Sequence, residues 1–208
     1  MTRFIVLAAL ASLALVASPA FAYNSVIQTG DVVEAGAFKI NIAPQIILSR
    51  YKGVGVDAML DVGVDSSSSV RGLIGVGDGV DFQVGGLYKY IPFPDTDRQP
   101  AVGIEAGVVY ARAGGVSEFD LRANPLVSKR FELEFGDLSP YAALPVGINI
   151  RSGGSQVPIQ LAVGTELRML STANLSFFVE GAVNLYDAFG YVTGAIAWRF
   201  DEVKLKSR

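Results

Sequence analysis

The run "GVGVDAMLDVGVD" (53–65) constrains the fold more than any other feature of the chain. Val54, Val56, Ala58, Leu60, Val62 and Val64 share one parity, and Gly55, Asp57, Met59, Asp61 and Gly63 share the other. Side chains of a strand point alternately to opposite faces. A period of two over this length therefore specifies a strand with one apolar face and one polar or bare face. The pattern returns in "VDFQVGGLYKY", where Val80, Phe82, Val84, Tyr88 and Tyr90 oppose Asp81, Gln83, Gly85 and Lys89. It returns again in "AVGIEAGVVY", "VPIQLAVGTELR", "NLSFFVEGAVNLY" and "YVTGAIAWRF". Turn-forming clusters separate the runs: "SSSS" at 66–69, "GDG" at 77–79, "PFPDTDRQP" at 92–100, "AGG" at 113–115, "SGGS" at 152–155 and "STAN" at 171–174. Ten candidate strands result, at 36–49, 53–65, 69–77, 79–91, 100–112, 116–130, 139–151, 156–169, 173–186 and 189–200. No helix, linker or composition break interrupts them, so 23–200 reads as one all-β domain.

A soluble sandwich also alternates, and three features decide against it. The runs are long, mostly 10–14 residues, where globular strands average about 5–6 and membrane-crossing strands need about 9–11. The polar parity is too charged and too rich in small residues for a sandwich core. The apolar parity carries aromatic rings at strand ends: Phe38, Tyr88, Tyr90, Phe177, Trp198 and Phe200 toward one rim and Tyr110 toward the other. Rings of this kind settle at headgroup level and form the two girdles of a transmembrane barrel. In hydrocarbon every backbone N–H and C=O needs an internal partner, so strands cross only as a closed wall. The expected fold is a closed antiparallel up-and-down transmembrane β-barrel of about ten strands, eight being possible with longer loops.

The termini fit that reading. Arg3, the apolar run Phe4 to Val16 and the small-x-small pattern Ala20-Phe21-Ala22 make 1–22 a cleavable secretory signal peptide. Of 17 lysines and arginines only Arg3 lies in the leader, which leaves 16 basic against 20 acidic residues and a net charge of −4. No basic cluster reverses that balance, so nucleic acid is not an expected partner. The chain has no cysteine and no histidine. Disulfides, His-dependent nucleophiles and the usual zinc and iron sites are thereby excluded.

Three pieces carry a resemblance to a known group: "NPLVSKRFELEFGDLSPYAALPVGI" (124–148), "GTELRMLSTANLSFFVEGAVNLY" (164–186) and the closing "GAIAWRF" (194–200). They resemble the small outer-membrane β-barrels of Gram-negative bacteria, of the outer membrane protein A transmembrane-domain type and the outer membrane protein W type. The resemblance implies an outer-membrane location and contact with its lipids. It also implies recognition of the last strand, through Trp198 and Phe200, by the barrel assembly machinery; the oligomeric state is left open, with a monomer favoured. Two departures stand out: Gly194 lies one position earlier than that assembly signal places its glycine, and "DEVKLKSR" (201–208) follows as a short periplasmic tail. Fold alone specifies no activity.

The candidate functional residues are the charges of the polar parity. Lys39, Arg71, Lys89, Arg122, Arg168 and Arg199 are expected inside, with Asp57, Asp61, Asp81, Glu105, Glu118, Asp120, Glu166 and Glu180. Six positive against eight negative charges make a mixed lumen. It can be a narrow water-filled pore lined by these charges. The size of a ten-stranded barrel favours instead a structural role with a salt-bridged plug, or a path for at most small solutes, since buried charges must be paired. A soluble lipocalin-like carrier would turn the apolar parity inward around a cavity. A carboxylate-only barrel enzyme is the remaining alternative, with no residue pair to name, and no catalytic residue, cofactor or metal is assigned. The glycine-rich "LIGVGDGVDFQVGG" (73–86) lacks the helix and lysine of a phosphate cradle. Asp78-Gly79 marks it as a hairpin instead.

Overall fold

The computed structural model describes residues 25–48, 52–172 and 174–201. The expected leader (1–22), residues 49–51 at the junction of the first two expected strands and all but the first residue of the expected tail lie outside the described residues. The described chain forms β1 (Phe38–Ile47), β2 (Gly53–Gly63), β3 (Ser68–Gly77), β4 (Val80–Phe93), β5 (Ala101–Ala113), β6 (Val116–Ser128) and β7 (Phe131–Leu133). It continues with β8 (Gly136–Ala143), β9 (Val146–Arg151), β10 (Gly154–Gln156), β11 (Ile159–Met169), β12 (Leu175–Tyr186) and β13 (Tyr191–Phe200). Each long strand pairs antiparallel with its sequence neighbour, and β1 pairs with β13 to close the wall. β8 and β9 succeed one another in the same place between β6 and β11. β7 and β10 extend hairpins beyond the wall. The result is a closed barrel of ten spanning strands with short extra strands, as the alternation indicates.

The interruption between β8 and β9 has a local cause. Pro145 lies between β8 and β9 and Pro158 just before β11, and neither has an N–H to give to the ladder. The chain bridges the gap with Gly147 N–H to Pro158 O at 3.0 Å and Gln160 N–H to Pro145 O at 2.9 Å. Elsewhere the wall is tight enough that a glycine is needed. A Cβ at Gly107 would strike the Gly86 carbonyl and lie 2.6 Å from Leu87 Cα.

Every long strand turns its apolar parity outward. Ile74 and Val179 are 61 % exposed, whereas Asp57 and Glu180 are 1 % exposed. This inverts the burial of a soluble protein and removes the internal-cavity carrier, which needs the opposite orientation. Strands of 10–14 residues tilted by about 40° rise roughly 25–35 Å along the barrel axis. That height covers the apolar band of about 25 Å that such barrels present to lipid.

The seam between the first and last strands lies in an aromatic cluster. Phe38 stacks on Phe200 with centroids 4.7 Å apart, and Trp198 stacks on Phe200 at 6.1 Å. Tyr88 and Tyr90 are exposed on the same side, and Phe177 is half-buried beside Ile196. At the far rim Tyr110 packs against Phe82 at 5.8 Å and Phe119 at 5.1 Å. Replacing Phe38 by alanine should cost about 0.5–1.5 kcal/mol beyond its lost area. A double-mutant cycle with Phe200→Ala in urea unfolding from lipid vesicles measures that coupling.

Candidate functional site: the filled lumen

The inward parity stacks charges in rows across adjacent strands. Lys39 is opposite Asp61, and Asp61 is opposite Arg71, so β1, β2 and β3 present plus, minus, plus at one level. Lys89 faces Glu105 on β5, and Glu105 faces Asn124 on β6. Directly opposed residues interact across the ladder. Arg71 grips Asp61 with two nitrogens, Nε to Oδ1 at 2.5 Å and Nη2 to Oδ2 at 2.9 Å, and stands 3.6 Å from Glu105 Oε1. Lys39 lies 3.9 Å from Asp61 and sits over the Phe178 ring at 5.3 Å. Asn41 Nδ2 and Asn124 Nδ2 donate to Asp61 at 3.0 Å and to Glu105 at 2.9 Å.

Toward the far rim the carboxylates take amide partners. Gln83 and Gln45 donate to Asp57 at 2.6 and 3.2 Å. Gly75 is bare because a Cβ there would fill the space of that contact. Asn149 donates to Glu118, and Arg122 pairs with Asp120. At the side of the chain termini Arg168 lies 3.6 Å from Glu166, and Arg199 is half-buried at the rim.

Inside this wall lies a segment that the alternation does not reveal. Residues 25–34 form no strand; they run through the lumen as a strap and are buried from Ser25 to Gly30. Gly36, at φ +82, turns the chain from the strap into β1. The amides of Val26 and Ile27 donate to Glu180 Oε1 and Oε2, each at 2.8 Å. The carbonyls of the same two residues accept from Arg71 at 2.7 and 3.2 Å. Tyr191 and Tyr141 complete Glu180 with hydroxyl donations of 2.7 Å to Oε1 and Oε2, so that one carboxylate accepts four donors.

Below that level Lys89 Nζ donates to the carbonyls of Thr29 at 2.7 Å and Asp31 at 2.5 Å. Gly30 N–H donates to Ser128 Oγ at 2.7 Å, Thr29 Oγ1 to Glu166 at 3.2 Å, and Arg168 to Asp31 at 3.0 Å. Val26 and Ile27 join the apolar cluster of Met59, Leu73, Leu87 and Phe178. Ile27 adopts φ +39, a left-handed conformation that a β-branched residue avoids at a cost of about 1–3 kcal/mol.

Ten of the fourteen charges expected inside are buried: Lys39, Asp57, Asp61, Arg71, Lys89, Glu105, Glu118, Asp120, Glu166 and Glu180. Arg122, Arg168 and Arg199 are partly buried. Asp81 is the exception and is exposed. Gly75 pairs with Gln83 but Gly77 pairs with Val80, so β4 carries one extra residue at this point. Such a bulge reverses the parity: Val80 turns in, at 2 % exposure, and Asp81 turns out. The serines expected wholly in a turn are also reassigned in part. Ser68 and Ser69 are buried within β3, and Ser68 Oγ donates to Asp65 at 2.7 Å to brace the turn.

The functional groups that sequence reasoning missed are the strap and the tyrosines that hold Glu180. Tyr191 lies on the polar parity, and its hydroxyl is the readable signal there. For the strap the signal is the adjacent pair Val26-Ile27 in a segment without alternation, placed just before the first strand.

No protein-family model matches the chain, and no curated protein matches it. Among solved structures it is similar to the β domain of the Bordetella autotransporter BrkA, with a TM-score of 0.50 and 14 % identity, over 80 % of this chain and 100 % of that one. It is also similar to an outer-membrane channel from Pseudomonas putida F1, with a TM-score of 0.49 and 8 % identity, over 86 % of this chain and 100 % of that one. At 14 % identity the likeness to the autotransporter β domain is one of fold alone, a closed antiparallel β-barrel.

Proposed function

We propose that this barrel stands in the outer membrane as a structural protein closed at rest, and is not an open diffusion pore. One observation carries the reading: most of the luminal charges are buried, and the buried ones are held by ion pairs or by hydrogen bonds. A water-filled path leaves its lining exposed, yet Arg71, Asp61, Glu105 and Glu180 are each 5 % exposed or less. Charges held this way lock a lumen shut, because moving any one of them strands its partner.

The outer surface suits direct contact with membrane lipids, and the aromatic cluster of Trp198 and Phe200 suits recognition of the last strand by the assembly machinery. The wall is complete in one copy, which supports a monomer. The absence of histidine and cysteine supports a non-enzymatic role, and the leader-like sequence pattern of 1–22 supports export.

Planar-bilayer recording of the folded full-length protein tests the proposal. Foldedness is checked first by faster gel migration before heating than after. The expected trace is silent. Regular single-channel steps from heat-modifiable protein would overturn the closed reading.

A further inference from the structure

We infer that the lumen is a binding site for a peptide main chain, which this chain fills with its own residues 25–31, and that the strap is a plug separable from the wall. The inference rests on the closed reading and names what does the closing.

The wall does not need the strap for its ladder. β1 begins at Phe38 and pairs with β2 and β13, so the barrel is sealed without any residue before Phe38. Among the described residues before β1, one ladder-type bridge reaches the wall strands, Ala35 to Gly63, just past the strap. Its polar contacts are read mainly from main-chain atoms. Glu180 takes two amides, Arg71 takes two carbonyls, Lys89 takes two more, and Ser128 takes the amide of Gly30. Thr29 and Asp31 add the side-chain contacts to Glu166 and Arg168. Main-chain groups are common to all peptides. Selectivity in this site therefore falls to the two apolar side chains at 26 and 27, to the absence of a side chain at Gly30, and to the polar side chains of Thr29 and Asp31.

Departure of the strap would strip the luminal charges of these partners. Lys89 loses its hydrogen bonds to the Thr29 and Asp31 carbonyls, and Glu180 loses two of its four donors. Charges left so in a low-dielectric lumen require water in place of the strap. The vacated barrel then becomes a hydrated path lined by Glu180, Lys89, Arg71 and Asp61. The strained backbone at Ile27 favours release, since it relaxes when the strap is free.

Gly30 offers the test in the full-length chain. A Cβ there would overlap Ala101 Cβ and lie 2.9 Å from Ser128 Oγ, so leucine cannot be seated. Gly30→Leu and, independently, Ile27→Asp are expected to give heat-modifiable barrels that show single-channel steps where the parent is silent. A synthetic peptide of residues 25–34 should close them, and the same peptide with aspartate at 26 and 27 should not. Because the chain has no cysteine, Ser25→Cys supplies a unique thiol at a site 6 % exposed. Its labelling by a charged maleimide should be roughly 100-fold slower in the parent than with Gly30→Leu added.

Folded but silent variants would overturn the inference. So would a Ser25→Cys thiol that labels at the unfolded rate in the parent, or failure of both luminal variants to fold, since the wall would then depend on its strap. Conductance of the parent would instead overturn the closed reading.

Discussion

Replacing Arg71 by methionine should cost the barrel about 3–5 kcal/mol, the range for removing one member of a buried ion pair. The guanidinium holds Asp61 by two nitrogens, stands beside Glu105 and donates to two strap carbonyls. Methionine fills much of the volume but leaves Asp61 with Asn41 and the more distant Lys39. A loss of that size is a large part of the 5–15 kcal/mol typical of a folded domain. Urea unfolding from vesicles gives the number. Adding Asp61→Asn should recover part of it, because the stranded charge is then gone. The result also separates plug from pore. In a hydrated lumen the pair would behave as a surface salt bridge worth about 0–1 kcal/mol, and so small a loss would sink the closed reading.

Glu180→Gln should cost about 2–4 kcal/mol, divided between the wall and the strap. The carboxylate accepts from Val26, Ile27, Tyr141 and Tyr191. An amide of the same shape keeps one accepting oxygen and turns an NH₂ toward two donors. Charge-assisted bonds are worth about 1.5–3 kcal/mol each, and a buried donor facing a donor forfeits them. The readout is hydrogen exchange at the amides of Val26 and Ile27. A weakening of about 2 kcal/mol raises their exchange roughly 30-fold, while ladder amides of β1 and β2 change only as far as global stability falls. Unchanged exchange at both strap amides would mean that Glu180 does not hold the strap.

The wall was legible in the sequence because a strand converts residue order directly into facing. Period two places Val54 and Asp57 on opposite surfaces whatever lies around them, and closure arises because lipid offers the backbone no other way to be satisfied. Thus the ten spanning strands and the inward position of the charges from Lys39 to Glu180 could be stated from parity. Where parity failed, a local backbone event intervened. The bulge in β4 turned Asp81 outward, and Pro145, facing the Pro158 segment beside it, separates β8 from β9.

By itself, then, the sequence determined a closed antiparallel wall, apolar outside and charged within, with aromatic rings near its rims. Only the tertiary structure decided what the charges are for. Glu180 and Lys89 find their partners in main-chain atoms of a segment some 60 to 150 positions away. Every residue carries an amide and a carbonyl, so no pattern of side chains marks those that will be used. The strap's contacts became visible only when the closed wall brought this N-terminal segment within hydrogen-bond reach of the charges it encloses.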